Sequence, residues 1–259
     1  MKTALTIAGS DSSGGAGIQA DLKTFTSLGV YGMSVITAVT AQNTLGVTAI
    51  QNIQADVIKA QIDAVFSDIY PDSVKIGMTS TVSIIETIAN GFEFYKPKNV
   101  VLDPVMVSTS GSRLLDEKAV SVLQKRLFPL ALLITPNIPE AEVISGLKIS
   151  TKEEMENAAT QIYSQFGTSV LLKGGHRVND SCDFFFDGKQ GIWFEGKKID
   201  NPNTHGTGCT LSSAICAQLA LGKSLSDSIK LAKDYISGAL SSMLNLGKGS
   251  GPLNHMWNL

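Results

Sequence analysis

Cysteine is scarce in this chain of 259 residues, and its distribution argues against two structural features that depend on cysteine. The cysteines are Cys182, Cys209 and Cys216, an odd number with no CxxC pair. A disulfide framework needs paired cysteines and a structural zinc site needs closely spaced ones, so we expect neither. This cysteine usage favours a reducing compartment, and we expect the protein to be cytoplasmic.

Long apolar runs and an excess of basic residues are also missing. The apolar run near the N-terminus covers only about six residues, too short for a signal sequence or a membrane span. The formal net charge is -2, so no broad positive field attracts a polyanion, and we expect neither a nucleic-acid nor a membrane partner. No Pro/Ser-rich linker or charge run divides the chain, which predicts one domain over residues 1–259.

The chain does contain a regular alternation of short apolar runs with amphipathic stretches. The runs are rich in β-branched residues and do not alternate with polar ones, which is typical of strands covered on both faces. The strands are predicted over residues 5–8, 34–39, 73–76, 99–102, 132–135 and 169–172. Helices are predicted between them, for example over 55–66 and 151–166. This order predicts an α/β fold with a mostly parallel sheet between two layers of helices.

Two segments depart from this alternation and predict antiparallel additions at the edges of the sheet. Residues 47–53 follow closely behind the strand at 34–39. Residues 183–186 and 191–194 flank Asp187-Gly188, a pair typical of a tight hairpin turn. The C-terminal part is largely helical, with helices predicted over 208–221 and 225–244.

The most informative motif is Thr204-His205-Gly206-Thr207-Gly208-Cys209, at the start of a predicted helix. Two glycines let the backbone approach a ligand, and the free N–H groups of the helix start point at it. Gly206, Thr207 and Gly208 are therefore a candidate anion hole. The same helix start favours a thiolate at Cys209, which could accept the proton of an alcohol. The alternative is a glycine-rich turn before a core helix, with Cys209 as a small buried hydrophobic residue.

A second glycine-rich loop, residues 9–17, follows the first predicted strand and precedes a helix that carries Asp21. Open α/β sheets bind ligands at the carboxyl ends of their strands, where this loop lies. No Gly-Lys-Ser/Thr follows it, so it is not a Walker A loop. Neither glycine cluster completes GxGxxG. In the cluster at Gly206 and Gly208, Leu211 occupies the place of the third glycine. The sequence therefore disfavours both a P-loop and a dinucleotide-binding protein.

Polar residues stand at the ends of three more predicted strands, at the same edge of the sheet. They are Asp103, Thr135, Asn137, Glu140 and Lys173. Carboxylates such as those of Asp103 and Glu140 suit Mg²⁺, and Lys173 offers a point charge for phosphate. Each residue alone is typical of a turn or a helix cap, whereas their joint position favours a phosphate site.

The histidines and methionines carry less information. His176 and His205 lie near glycine turns, where histidine is more often a surface or packing residue than a base. His255 is expected to pack the C-terminal tail, and no pair of histidines has metal-ligand spacing. Met78 is a candidate for lining the pocket of an aromatic ligand, although Met at such a position commonly fills the core.

Taken together, these motifs resemble those of the hydroxymethylpyrimidine/phosphomethylpyrimidine kinases over essentially the full chain. The matching segments are AGSDSSGGAGIQADLKT, TAVTAQNT, KIGM, LDPVMVSTSG, LITPNIPEAE, LLKGGH, THGTGCTLSSA and GKGSGPLNH. The resemblance implies a ribokinase-like three-layer α/β/α sandwich with a short lid around residues 107–115. It also implies phosphorylation of 4-amino-5-hydroxymethyl-2-methylpyrimidine, and then of its monophosphate, with ATP and Mg²⁺ in thiamine biosynthesis. Members of the family are commonly homodimers.

The resemblance also assigns residues to the two ligands. ATP is expected near Thr135, Asn137, Glu140, Lys173 and the Gly206 to Cys209 segment. The pyrimidine is expected near Gln42, Gly9, Asp21, Met78 and Val105. Cys209 occupies the place of the catalytic Asp of related sugar kinases and is the expected base.

Two departures bear on the alternatives. Ser250 stands where the family's tail commonly has His, so we give that position no role. Pyridoxal kinases of the same branch tend to carry a cysteine in the lid, and residues 108–111 contain none, which favours the pyrimidine over pyridoxal or pyridoxine. A dinucleotide-dependent oxidoreductase and a non-catalytic nucleotide-binding module are the alternatives of a different class, because a fold does not fix its function.

Overall fold

The computed structural model describes residues 1–106, 115–175, 182–196 and 199–259. In these residues the chain forms nine strands, eight α-helices and one short 3-10 helix at Phe128–Leu130. The strands are β1 (Thr3–Asp11), β2 (Tyr31–Asn43), β3 (Gly46–Asn52), β4 (Ser73–Ile76), β5 (Val100–Leu102), β6 (Leu133–Ile134), β7 (Ser169–Lys173), β8 (Asp183–Phe186) and β9 (Gly191–Phe194). The helices are α1 (Gly17–Ser27), α2 (Ala55–Asp68), α3 (Val82–Tyr95), α4 (Glu117–Arg126), α5 (Ile138–Ser145), α6 (Lys152–Phe166), α7 (Thr207–Ala220) and α8 (Leu225–Ser241).

The strands form one sheet in the order β3-β2-β1-β4-β5-β6-β7-β8-β9. Pairing is parallel from β2 through β7, and β3, β8 and β9 join antiparallel at the two edges. Both predicted edge additions are therefore confirmed, as is the mostly parallel centre. β2 is longer than the predicted 34–39, because its second half pairs with β3. The predicted lid around 107–115 falls outside the described residues, apart from Leu115.

The sheet lies between two layers of helices, which confirms the predicted sandwich. Successive strand residues face opposite sides, so Val100 and Leu102 belong to one apolar cluster and Val101 to the other. The first cluster includes α2 through α6, and the second includes α1, α7 and α8. Within the described ranges, no helix is long and apolar enough to cross a bilayer.

The helix starts differ in how their free N–H groups are bonded. Thr151 caps α6 through reciprocal hydrogen bonds with Glu154, and Asn137 caps α5 in the same way with Glu140. Helix α7 begins after Gly206, without any side-chain cap. Helices α1 and α2 also begin without a side-chain cap, so the start of α7 leaves backbone donors for a ligand but shares this property with two other helices.

Candidate active site

A cleft of about 820 Å³ opens at the carboxyl edge of the sheet, between the strand-end loops and the start of α7. Its volume is within the range of small-molecule sites. All the predicted site residues except Asp21 and Thr135 line it. We call the part around Lys173, Asp103 and Cys209 the phosphate end, and the part around Gln42, Met78 and Val105 the ring end.

The start of α7 presents backbone N–H groups to the phosphate end. Gly206 has a left-handed backbone (φ 83°), and a Cβ there would lie 1.8 Å from the carbonyl oxygen of Gly15, so the position requires glycine. The Thr207 N–H donates to the Thr204 carbonyl at 3.2 Å. The Thr207 N–H is therefore bonded within the chain, while Gly208 and Cys209 follow it in the uncapped first turn; the anion hole at Gly206, Thr207 and Gly208 stays a prediction.

Cys209 is half-buried and faces the cleft, so it is not a sealed core residue, whereas Cys216 on the same helix is fully buried. Burial raises the pKa of the Cys209 thiol; Lys75 and a hydrogen bond from the Gly17 backbone oppose that effect, while the charges of Asp21 and Asp103 add to it. The expectation that the helix start makes Cys209 a thiolate is therefore wrong. Desolvation outweighs the nearby positive groups, so the pKa of the thiol lies above its ordinary value.

Asp21 lies beneath the cleft and not in it, and its predicted contact with the pyrimidine stays a prediction. Its side chain is fully buried and accepts hydrogen bonds from Lys75 Nζ at 2.8 and 3.0 Å, from Thr6 Oγ1 at 2.6 Å and from Ser213 Oγ. Burial alone would lower the pKa of Lys75, but the attraction of Asp21 raises it. The lysine stays charged and lines the cleft beside Cys209.

Sequence reasoning missed Lys75, although the signal was present. It is a lysine inside the otherwise apolar run of β4, and all residues of this strand are buried. A lysine is almost never fully buried without a partner, so its position in a central strand indicates a buried anion nearby.

Lys173 and Asp103 form an ion pair at the phosphate end. Lys173 Nζ lies 2.9 Å from Asp103 Oδ1, and Thr135 Oγ1 donates to the same oxygen at 3.1 Å. Thr135 is fully buried and its hydroxyl holds Asp103, while its predicted contact with ATP stays a prediction. A Cβ on Gly208 would lie 3.4 Å from both Lys173 Nζ and Asp103 Oδ2. The ion pair therefore stands directly against the free amides of α7.

Glu140 and Asn137 complete this end. Glu140 Oε2 accepts from the Asn137 N–H at 2.9 Å, and Oε1 accepts from the Met106 N–H at 3.3 Å. Burial raises the pKa of Glu140; Lys173 lowers it in part, and Asp103 raises it further. The described residues contain no group of three or more His, Cys, Asp or Glu that could hold a metal. Two neighbouring carboxylates still fit Mg²⁺ that keeps waters and phosphate oxygens as its other ligands.

At the ring end, Gln42 is part of a chain of polar contacts. Its Oε1 lies 3.1 Å from Thr40 Oγ1, and its Nε2 lies 3.4 Å from His205 Nε2. His205 Nε2 lies 2.8 Å from Asp11 Oδ2. Burial alone would raise the pKa of Asp11, but hydrogen bonds from His205, Ser13 and Ala16 lower it to about 2.

His205 is the second residue that sequence reasoning missed. It was predicted to be a surface or packing residue, but it lines the cleft. The available signal was its position directly before the Gly206 to Cys209 motif. His255, in contrast, is buried against Thr210, in agreement with its predicted packing role. His176 lies outside the described residues.

The remaining part of the cleft includes the Lys233–Asp183 ion pair as well as a group of apolar side chains. Val143, Ile199, Leu211, Ile236 and Leu240 line it. They come from α5, from the segment before α7, and from α7 and α8. Such a surface suits one face of a planar base, adjacent to the charged groups that would meet its phosphates.

Comparison with known proteins agrees with this geometry. Residues 11–254 match the model of the family described as phosphomethylpyrimidine kinase. A thiamine biosynthesis bifunctional protein of Geobacter sulfurreducens is 52% identical over 253 residues, covering 97% of this chain and 52% of that protein, so the chain spans about half of its length. The hydroxymethylpyrimidine/phosphomethylpyrimidine kinase of Rhizobium meliloti is 50% identical over 256 residues, covering 97% of this chain and 96% of that protein.

Solved structures show the same relationship. A phosphomethylpyrimidine kinase from Clostridium difficile 630 is 48% identical with a TM-score of 0.83, covering 92% of this chain and 98% of that one. An ADP complex of Bacillus subtilis pyridoxal kinase is 40% identical with a TM-score of 0.91, covering 98% of this chain and 97% of that one. The fold is thus shared by kinases that are named for two different acceptors.

Proposed function

The chain belongs to the phosphomethylpyrimidine kinase family, and we propose that its cleft transfers the terminal phosphate of ATP to hydroxymethylpyrimidine and then to the resulting monophosphate, in thiamine biosynthesis. One observation carries the proposal. Cys209, the start of α7 and the Lys173–Asp103 pair lie together at one end of the cleft, and Gln42 lies at the other end. The nearly full-length similarity to kinases of that name supports it.

ATP lies along the apolar part of the cleft, with its phosphates at the phosphate end. Lys173 and the amides of Gly208 and Cys209 surround the terminal phosphate. These groups are fixed before the reaction, since Gly206 is packed against Gly15 and Lys173 is held by Asp103. The ADP complex of the pyridoxal kinase supports a nucleotide in this fold.

Cys209 handles the proton of the first acceptor. As the alcohol oxygen bonds to the terminal phosphorus, its proton passes to the Cys209 sulfur, and the bond from that phosphorus to the ADP oxygen breaks. The sulfur must be a thiolate to accept that proton, and Lys75 and the Gly17 N–H are the groups that stabilise its charge. A monophosphate acceptor is already an anion, so the second transfer needs no base.

Mg²⁺ is the metal that we propose for this site, with Asp103 and Glu140 as its protein ligands. Bound there, it supplies positive charge to phosphate oxygens. Thr135 orients Asp103, and the Asn137 and Met106 amides orient Glu140. The site is therefore built on buried, already oriented carboxylates.

The ring of the acceptor lies at the ring end, between Gln42 and the apolar side chains of Met78 and Val105. Gly9 leaves room for Met78, since a Cβ on it would lie 2.6 Å from Met78 Cε. We further propose a single-domain, cytoplasmic enzyme with small-molecule partners. Family resemblance favours a homodimer, and Val39 and Ile50 on the paired strands β2 and β3 are exposed apolar residues suited to a contact.

A coupled ADP-release assay with hydroxymethylpyrimidine, its monophosphate and pyridoxal in parallel tests the proposal. We expect turnover with both pyrimidines and a lower kcat/KM with pyridoxal. A higher kcat/KM with pyridoxal would favour a pyridoxal kinase instead. The similarity to the pyridoxal kinase structure is the reason for including that substrate. ADP release with none of the three would refute the proposed activity.

A further inference from the structure

The amide of Gln42 lies between two groups whose donor and acceptor roles can be worked out. A side-chain amide has an N–H₂ donor and a carbonyl acceptor of nearly the same shape, so its partners decide which end faces which way. One partner is His205 and the other is Thr40. The direction of the amide at the ring end therefore depends on these two side chains.

His205 is a hydrogen-bond donor at Nε2, because Asp11 can only accept. Asp11 is buried and accepts from the N–H groups of Ser13, Gly15 and Ala16, so it is held as a carboxylate. Its Oδ2 lies 2.8 Å from His205 Nε2, which must carry the proton. A Cβ on Gly15 would lie 2.3 Å from His205 Cδ2, so the ring packs flush against this loop.

Thr40 is an acceptor for the amide. Its hydroxyl has one proton, and Oγ1 lies 2.9 Å from the Ser10 carbonyl, which can only accept it. The lone pairs of Thr40 Oγ1 are left for Gln42, at 3.1 Å. On the other side, Gln42 Nε2 at 3.4 Å from His205 Nε2 would place one donor against another. The amide turned by half a rotation removes this conflict: its nitrogen donates to Thr40, and its oxygen lies beside the His205 N–H, whose single proton Asp11 and Gln42 then share as a bifurcated hydrogen bond.

We propose that His205, fixed by Asp11, is a positioning residue that locks the Gln42 amide in this turned orientation and so makes the ring end selective for an aminopyrimidine. The locked amide offers its remaining N–H and lone pair to the ring in one order only. An unlocked amide can turn and accept either order. This inference rests on the proposed function and deepens it, since it names the feature of the ring that is read.

The matched probe is the 4-oxo counterpart of the aminopyrimidine, 5-hydroxymethyl-2-methylpyrimidin-4-one. It has the same shape and the same reacting alcohol, but a carbonyl replaces the amine and an N–H replaces the ring nitrogen, so donor and acceptor are exchanged. We expect the wild type to prefer the amino compound by about 100-fold in kcat/KM, as is typical of a mismatched bidentate amide contact. In His205→Phe the preference falls below about 10-fold, mainly because the KM of the oxo compound falls.

Two further variants keep the test decisive. Thr40→Val removes the acceptor at the other end of the amide and lowers the same preference, so it decides the matter if His205→Phe does not fold. His255→Phe removes a buried histidine outside the cleft and leaves the preference unchanged. A purely structural role of His205 would slow both substrates equally, and an unchanged ratio in the folded variants would overturn the inference. Failure of the wild type to phosphorylate the amino compound would instead refute the proposed function, and this inference with it.

Discussion

The two ends of the cleft differ in the chemistry of their side chains. The phosphate end contains charged groups in balanced pairs, Lys173 with Asp103 and, below them, Lys75 with Asp21. The ring end offers the neutral Gln42 amide. Its charged group, Asp11, does not contact Gln42 directly but contacts His205, which lies between them. Fixed charges suit a reaction in which charge moves, whereas a neutral, oriented amide suits discrimination between rings of equal charge. We therefore expect changes at the phosphate end to alter rate and changes at the ring end to alter substrate binding.

The largest effect is expected for Lys173→Met at the phosphate end. The change removes a cation beside the terminal phosphate and leaves the carboxylates of Asp103 and Glu140 unbalanced. We expect kcat/KM for ATP to fall by about 10³-fold, as for the loss of a preorganised electrostatic contact. Lys148→Met, at a side chain that is 89% exposed, is the control. A loss of less than about 10-fold would break the assignment of rate to this end.

Cys209→Ala is expected to lower kcat with the alcohol by about 10²-fold, with little change in the KM for ATP. The loss with the monophosphate acceptor should be much smaller, because that nucleophile is already an anion. Since the pKa of Cys209 is raised, the wild-type kcat for the alcohol should increase with pH above neutrality, and this increase should vanish in the variant. Cys216→Ala, a buried position on the same helix, is the control; equal losses with both acceptors would contradict a role as base.

Asp11→Asn tests whether the charge behind the ring end acts on stability. The pKa of Asp11 in the folded state, about 2, lies below the ordinary 3.8, so its contribution is present above pH 4 and is lost as pH falls towards 2. That contribution is about 2 kcal/mol of unfolding free energy. Between pH 4 and pH 2.5, the free energy of unfolding measured with urea should fall less in the variant than in the wild type. It should also fall less than in Asp68→Asn, which changes an exposed site. An identical fall in all three proteins would show that Asp11 is not held as proposed.

Gln42→Ala should give the smallest change and sharpens the comparison most directly. Loss of about two hydrogen bonds to the ring should raise the KM for the pyrimidine by about 10-fold, with kcat nearly unchanged. Gln190→Ala, at an exposed hairpin turn, is the control. A fall in kcat at constant KM would mean that the ring end also determines rate, which would remove the contrast between the ends.

Much of the fold follows from local pattern. Apolar runs predict the central strands because both faces of the sheet are covered, and Asp187-Gly188 predicts the β8–β9 hairpin. The strand-end loops bring the predicted site residues to one edge, as parallel strands must. The length of β2 was missed because it depends on pairing with β3.

The observed placement of several site residues was not predictable from the sequence for one physical reason, namely that side-chain direction and burial depend on residues distant in the chain. Asp21 was assigned to the substrate, but Lys75 and Ser213 draw it below the cleft. The state of Cys209 depends on desolvation against Lys75, which no local spacing reveals. His205 gains its role from Asp11, which is 194 residues away in the chain.

The account depends most on Cys209 lying where the terminal phosphate of ATP binds. Alkylation by iodoacetamide at pH 9, followed by peptide mass analysis, measures this directly, since Cys209 is half-buried in the cleft while Cys182 and Cys216 are buried. We predict that Cys209 is the cysteine labelled fastest and that a non-hydrolysable ATP analogue with Mg²⁺ slows its labelling by about 10-fold or more. An unchanged labelling rate at saturating analogue would contradict the account.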